Sequence, residues 1–156
     1  KHADPVKYEV DKESGVLEVD RFIGSLMRYP ANYGFIPDTI ADDGDPVDVL
    51  VVTPFPIIHG AIIACRPVGM LSMSDEGGDD AKIIAVPTEK LTPLYNNVKT
   101  YSDLPQIKLE QIKHFFELYQ ALEPSKWVKI NGWEGVEAAH AEIQNGLALY
   151  QKEITG

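Results

Sequence analysis

"DLPQIKLEQIKHFFELYQALE", residues 103–123, is where the chain changes its hydrophobic period. Ile107, Ile112, Phe115, Leu118, Tyr119 and Leu122 recur there at helical spacing, and Ser102 or Asp103 is suited to cap the start. Further on, "GWEGVEAAHAEIQNGLALYQKE" (132–153) carries Val136, Ala139, Ile143, Leu147 and Tyr150 in the same rhythm and predicts a second helix. The first two-thirds of the chain is β-rich. "VKYEV" (6–10) alternates Val6, Tyr8 and Val10 against Lys7 and Glu9, "DKESG" turns, and "VLEVDRF" (16–22) completes a hairpin. "RYPANYGFIPD" (28–38), with Tyr29, Tyr33 and two prolines, reads as a loop. Three apolar strands follow: "VDVLVV" (47–52), "GAIIACRPVGMLSM" (60–73) and "AKIIAVP" (81–87). Short strands followed by two long helices predict a mainly β α+β fold, a small barrel or curled sheet with the helices packed outside.

The 156 residues suit one domain over 1–156, and no repeat, low-complexity tract or Gly/Ser linker divides them. Hydrophobic residues at 44% and charged residues at 24% are ordinary for a soluble globular chain. The nearest thing to a membrane span, "VLVVTPFPIIHGAIIAC", is broken by Pro54, Pro56 and His59, so no membrane partner is expected. The opening "KHADPVKYEV" lacks the apolar centre of a signal peptide, and Cys65, the single cysteine, has no partner for an internal disulfide. A reducing, cytoplasmic setting follows. The net charge of -10 argues against nucleic acid as a partner, and it should also repel free phosphates.

Against that background "DDGDPVDV" (42–49) crowds four aspartates into eight positions just before an apolar strand. One Asp in a Gly/Pro turn would be a solvated bend. Asp43, Asp45 and Asp48 together, drawn toward a core, need cations or hydrogen bonds to stay ionised, and a multivalent metal is the simplest answer. Strict strand alternation would turn Asp48 away from Asp43 and Asp45, so the Gly-Asp-Pro turn must break it. An EF-hand does not fit, because Val47, Asp48 and Pro54 fall where ligands, glycine and glutamate are needed. A second cluster, "SDEGGDDAK" (74–82), offers Asp75, Glu76, Asp79 and Asp80 beside Lys82. None of the four histidines lies in either cluster, so carboxylates select a hard cation, Mg²⁺ or Mn²⁺, over zinc or copper. Lys7, Arg21, Lys82, Tyr33 and Tyr119 sit at the ends or exposed faces of elements, where cations and phenols could hold phosphate oxygens. No G-x-x-x-x-G-K-[ST] loop occurs, and Cys65 between apolar neighbours reads as core. Metal-assisted phosphoryl hydrolysis by water, with a carboxylate as general base, is the expected chemistry.

"DGDPVDV" resembles the D-x-D-P-x-D signature of the soluble family I inorganic pyrophosphatases, bacterial type. "DPVKYEVDKESG", "VDRF", "YPANYGFIPDT", "VGMLSMSDEGGDDAKIIAVP" and "HFFELYQALE…KWVKINGWE" resemble the family's other segments in the same order, across nearly the whole chain. The resemblance implies Mg²⁺-dependent hydrolysis of pyrophosphate to two phosphates. It implies that Asp43, Asp48 and Asp80 bind activating metals, Asp48 bridging two, and that Asp75 binds metals arriving with substrate. Asp45 then matches the base, and Lys7, Arg21, Lys82, Tyr33 and Tyr119 match phosphate contacts. Glu9 and Tyr29 match supporting cavity residues. It further implies a five-stranded, OB-like closed barrel with helices outside, and a homohexamer of two stacked trimers with His114 in the trimer contact. Gln120 departs from the family, which carries Lys after the tyrosine matching Tyr119. The family also has an N-terminal segment, with a strand and a metal-site glutamate, before "DPVKYE", so that segment is expected to be missing here. Three rivals remain: a nucleotide phosphohydrolase, which needs an aromatic base slot; an OB-type single-strand binder, which needs a basic groove; and a metal-binding module without turnover.

Overall fold

The computed structural model describes residues 5–11 and 14–156. Lys7 to Val10 and Leu17 to Phe22 do pair: β1 (Val6–Val10) and β2 (Leu17–Phe22) form an antiparallel two-stranded sheet. Part of the intervening turn, residues 12 and 13, lies outside the described residues. The alternation in β1 does not create a buried face, since Tyr8 and Val10 remain exposed.

A five-stranded mixed sheet follows in the order β3-β4-β6-β5-β7, with β3 (Asn32–Phe35), β4 (Asp48–Val51), β5 (Cys65–Asp75), β6 (Gly78–Pro87) and β7 (Val128–Glu134). Its one parallel pair, β4 with β6, occupies an interior position, as expected for strands buried on both faces. Period-two alternation divides the core between the two faces. Leu50, Leu71, Met73, Ile84 and Val86 pack under α1 (Gln106–Leu118) with Ile112, Phe115 and Phe116. Val47, Val49, Val51, Ile83 and Ala85 pack on the other face with Ala139 of α2 (Val136–Thr155).

Several expectations need correction. The loop of residues 28–38 contains β3, because Asn32 to Phe35 find partners on β4 that local sequence does not announce. The strand expected over residues 60–73 begins at Cys65, and the stretch expected to open the second helix is the end of β7, paired to β5. Pro105 stands at the N-cap of α1, while the Asp103 carboxylate accepts from the backbone N–H of Lys99 and Thr100 at 2.8 and 3.0 Å. Leu109 and Phe116 join the buried face of α1, whereas Ile107, Leu118 and Leu122 are exposed. The mainly β α+β class holds. Among the described residues the sheet has two free edges, β3 and β7, and no pairing closes it.

Candidate active site

Alternation on three strands carries the acidic residues to one end of the α1 face. On β4, Asp48 shares the face of Leu50, and on β6, Asp80 and Lys82 share that of Ile84 and Val86. On β5, Asp75 follows Leu71 and Met73 at spacings of two. The β5–β6 register sets Met73 opposite Asp80 and Asp75 opposite Gly78, and the parallel β4–β6 register sets Val49 opposite Ile83, so that together they bring both acidic clusters to one strand mouth.

Lys82 is the centre of this arrangement. It is 4% exposed, and its Nζ donates to Asp48 Oδ2 at 2.5 Å and Asp80 Oδ1 at 2.6 Å. Burial works against its charge, but Asp48 and Asp80 outweigh burial and hold its pKa above the ordinary lysine range. Asp80 is itself pushed up, first by desolvation and then by Asp48 and Asp75, against the pull of Lys82. Aromatic rings wall the site. The Lys82 ammonium lies 5.9 Å from the Tyr33 ring and 5.7 Å from that of Phe116. Tyr29 stacks on Tyr33 at 4.9 Å, and Phe115 stacks on Tyr119 at 5.2 Å. Burial, then Asp48 both as a charge and as the hydroxyl's hydrogen-bond acceptor, raises Tyr33 well above ordinary phenols. Tyr29 is raised chiefly by burial, and Tyr119 is pushed up to about 12 by the same cause. All three phenols are therefore neutral donors at physiological pH.

The turn before β4 is self-organised. The Asp43 carboxylate accepts from the Asp45 N–H at 2.9 Å, Ala41 N–H donates to Asp45 O at 2.7 Å, and Gly44 supplies φ +86°. These residues precede β4, which starts at Asp48, so strand alternation does not constrain Asp43 and Asp45. Buried Thr39 anchors the exit: its hydroxyl accepts from Val47 N–H at 3.0 Å and donates to Ile36 O at 2.6 Å. A cavity of about 220 Å³ between this turn, the β5–β6 end and α2 is lined by Asp42, Asp43, Asp48, Asp79, Asp80 and Glu142, with Asn131 beside them. Burial and then Asp42, Asp79 and Glu134 raise Glu142 above ordinary carboxylates.

The hairpin supplies the remaining cations. Lys7 is opposite Arg21 in the β1–β2 register, and Lys7 pairs with Glu9 and, at 3.3 Å, with Asp20. Arg21 lies 3.5 Å from Asp20 and 3.7 Å from Glu123, and its charge lowers Tyr29 and Tyr119. Asp48, Asp80, Lys82 and Tyr33 are thus in direct contact, with Tyr29, Tyr119, Asp75 and Arg21 in electrostatic reach. Asp43 shares the cavity with Asp48 and Asp80; Asp45 is exposed on the turn beside it. Glu76 instead pairs with Lys126. Glu142 and Asn131 were not singled out by sequence, since nothing near either marks a site; Asp79 was a candidate of the second cluster, and Asp42 adjoins the aspartates of the first.

Among the described residues, no three His, Cys, Asp or Glu side chains converge closely enough to hold an ion alone. Two carboxylates do converge, on an ammonium, and carboxylate oxygens predominate among the other polar groups lining the cavity. That set fits a hydrated divalent cation held by one or two carboxylates and water.

Carboxylates sharing one cation, with neutral phenols and a guanidinium at the rim, suit metal-assisted phosphoryl hydrolysis. The inorganic pyrophosphatase family model matches residues 1–151, and the chain belongs to that family, in its bacterial family I form. It is 63% identical over 150 residues to an inorganic pyrophosphatase of Ralstonia nicotianae, covering 96% of this chain and 86% of the relative. It is 61% identical over 148 residues to that of Pseudomonas aeruginosa, covering 95% and 85%. A solved structure of the Helicobacter pylori inorganic pyrophosphatase superposes with a TM-score of 0.92 at 47% identity, over 96% of this chain and 88% of that one. The chain is a hydrolase of inorganic pyrophosphate.

Proposed function

We propose that this single catalytic domain cleaves pyrophosphate with Mg²⁺ ions held by Asp43, Asp48, Asp75 and Asp80, and with Asp45 as general base. The contact of Lys82 with both Asp48 and Asp80 carries this reading, since it marks where carboxylates of both acidic clusters already share a cation. Bound Mg²⁺ would polarise the phosphate oxygens and acidify the attacking water. Asp45, on the turn beside Asp43, takes that water's proton. Lys7, Arg21 and Lys82 hold phosphate oxygens by charge, and Tyr33 and Tyr119 donate hydrogen bonds to them. Glu9 orients Lys7, and Tyr29 orients Tyr33 by stacking. Lys82 accordingly exchanges carboxylate partners for substrate oxygens during the cycle.

The sheet, in this reading, curls toward an OB-like closed barrel, an inference supported by the bulges of β5 at Pro67/Gly69 and Ser72/Met73. A homohexamer of two trimers is supported by large apolar side chains left exposed, Phe22 at 77%, Leu26 at 94% and Ile62 at 93%. A cytoplasmic setting without nucleic acid or membrane partners accords with the charge of -10, and no helix among the described residues is long and apolar enough to cross a membrane. Calorimetric titration with Mg²⁺ tests the metal assignment: Asp48→Asn and Asp80→Asn should each weaken binding about tenfold or more. Unaltered Mg²⁺ binding in both variants would overturn it.

A further inference from the structure

β7 carries one residue too many for its partner. Its register with β5 steps from Ser72 opposite Gly132 to Met73 opposite Ile130, which leaves Asn131 as a β-bulge. Gly132 takes φ +148°, a conformation that favours glycine and sustains the bulge. Asn131 Nδ2 donates to Ser74 Oγ at 2.9 Å, and Ser74 Oγ donates to Asp79 Oδ1 at 3.1 Å. This hydrogen-bonded row crosses β7, β5 and β6 at the end of the sheet that also delivers Asp75 and Asp80. Its direction is fixed by the groups themselves. An amide nitrogen only donates, so the hydroxyl accepts from Asn131 and directs its single proton to Asp79. Alternation places Asp79 on the face of Ile83 and Ala85, opposite to that of Asp80 and Lys82. It still lines the same cavity as Asp43, Asp48 and Asp80, with Asn131 beside it. Among the described residues no cation pairs with Asp79, and it stands close enough to Glu142 to raise that carboxyl. A carboxylate among like charges is pushed toward solvent unless something holds it, and here the Ser74 hydroxyl does.

We propose that Asn131 and Ser74 are positioning residues that hold Asp79 at the cavity wall, where it accepts hydrogen bonds from the water of a hydrated divalent cation bound by Asp43, Asp48 and Asp80. The inference rests on the metal reading above and adds residues that act on the ion without touching it. Mg²⁺ gives up its water reluctantly, so a site for it needs acceptors for that water as well as direct ligands. Ser74 occupies Oδ1 of Asp79 and leaves Oδ2 to accept, and a hydrogen bond from cation-held water to a carboxylate is charge-assisted. The bulge explains why an exposed strand end keeps so specific an arrangement: without the extra residue, Asn131 would not be offset from the β5 register toward Ser74.

The test is calorimetric titration of the full chain with Mg²⁺ and, separately, Ca²⁺. Ser74→Ala should weaken Mg²⁺ binding roughly tenfold, and Ser74→Thr, which keeps the hydroxyl, should stay within about twofold. Asn131→Ala should also weaken it, and the Ser74→Ala/Asn131→Ala double variant should bind no worse than Ser74→Ala alone, because both changes break one row. Asn131→Asp should weaken Mg²⁺ binding despite its added negative charge, since a carboxylate draws the Ser74 proton away from Asp79. Ca²⁺ takes more direct oxygen ligands, so its loss in Ser74→Ala should stay below about threefold. Thermal midpoints in chelator within about 4 °C of wild type would show the fold intact. Tighter Mg²⁺ binding by Asn131→Asp overturns the proposal, by showing that net charge alone sets affinity. An equal loss for Mg²⁺ and Ca²⁺ overturns it too, by reducing Ser74 to a support of local shape. Asp48→Asn, titrated alongside, separates the two readings. If it binds Mg²⁺ as wild type does, the metal assignment fails and this inference with it; if it is weakened while Ser74→Ala is not, this inference alone is overturned.

Discussion

Replacing Lys82 with methionine should destabilise the metal-free protein far more than the metal-loaded one. The substitution keeps most of the apolar stem and removes an ammonium that two carboxylates approach within 2.5 and 2.6 Å. Removing one member of a buried ion pair costs about 3–5 kcal/mol, because the partner is left uncompensated. Here two carboxylates are left, but each is partly open to solvent, which moves the expectation to the lower end, about 3 kcal/mol at pH 7.5 in chelator. Asp80 already binds its proton more tightly than an ordinary aspartate, and losing Lys82 raises it further. A carboxyl whose folded pKa exceeds its unfolded value takes up a proton in the folded state first. The penalty is therefore full above the folded pKa and shrinks as pH falls through it. Mg²⁺ supplies the missing charge, so saturating metal should bring the loss below about 1 kcal/mol. Urea unfolding at fixed protein concentration, with chelator or Mg²⁺ and at pH 7.5 and 5, measures all of this. Activity should not recover with stability: if Lys82 contacts phosphate as proposed, its loss should lower kcat about 10²–10³-fold even with saturating metal. A chelator-state loss below 1 kcal/mol, or an equal loss with and without Mg²⁺, would refute the reasoning.

Gly146 of α2 is closely covered: an added Cβ would lie 2.7 Å from Val47 Cγ2 and 3.1 Å from Thr39 Cβ, beneath the turn that delivers Asp48. Gly146→Ala gains about 1 kcal/mol of helix propensity yet should lower stability by about 1–3 kcal/mol through overpacking, read by thermal unfolding. Glu142→Gln should raise Tm by about 1–2 °C at pH 8. Glu142 is raised by burial and by Asp42, Asp79 and Glu134, so its charge destabilises above the folded pKa, and the gain should vanish as pH falls through that pKa. Gln120 is 5% exposed, and among the described residues its Oε1 has no hydrogen-bond partner. Gln120→Met should therefore stabilise by about 1 kcal/mol in urea unfolding; a loss of that size would mean that the amide is satisfied in solution.

Legibility in the sequence followed the range of the forces involved. The β1–β2 hairpin, β4 and β6 were readable because alternation and apolar runs are local, and the aspartates were conspicuous for the same reason. β3 was read as a loop because Pro30 and Pro37 bracket it; its strand character comes from β4, residues away in sequence. The last three residues of β7, 132–134, were read into the second helix and the first four were assigned to no element, since only the pairing with β5 marks "VKINGWE" as a strand. On α1 the stripe was displaced, because Phe116 turns toward the Lys82 ammonium while Leu118 and Leu122 face outward. Within the site, the convergence of Asp48 and Asp80 was legible as two acidic clusters at strand mouths. That Lys82 would lie between them required the β4–β6 register, and Glu142 and Asn131 arrive from elements that no acidic motif marks.

Phosphate release from pyrophosphate, measured with Mg²⁺ and with chelator beside ATP as a parallel substrate, tests the central claim most directly. Rapid release from pyrophosphate that needs Mg²⁺, little from ATP, and a loss of about 10²–10⁴-fold in Asp45→Asn is the predicted result. A folded, Mg²⁺-binding chain that releases no phosphate, or one that prefers ATP, would contradict the account.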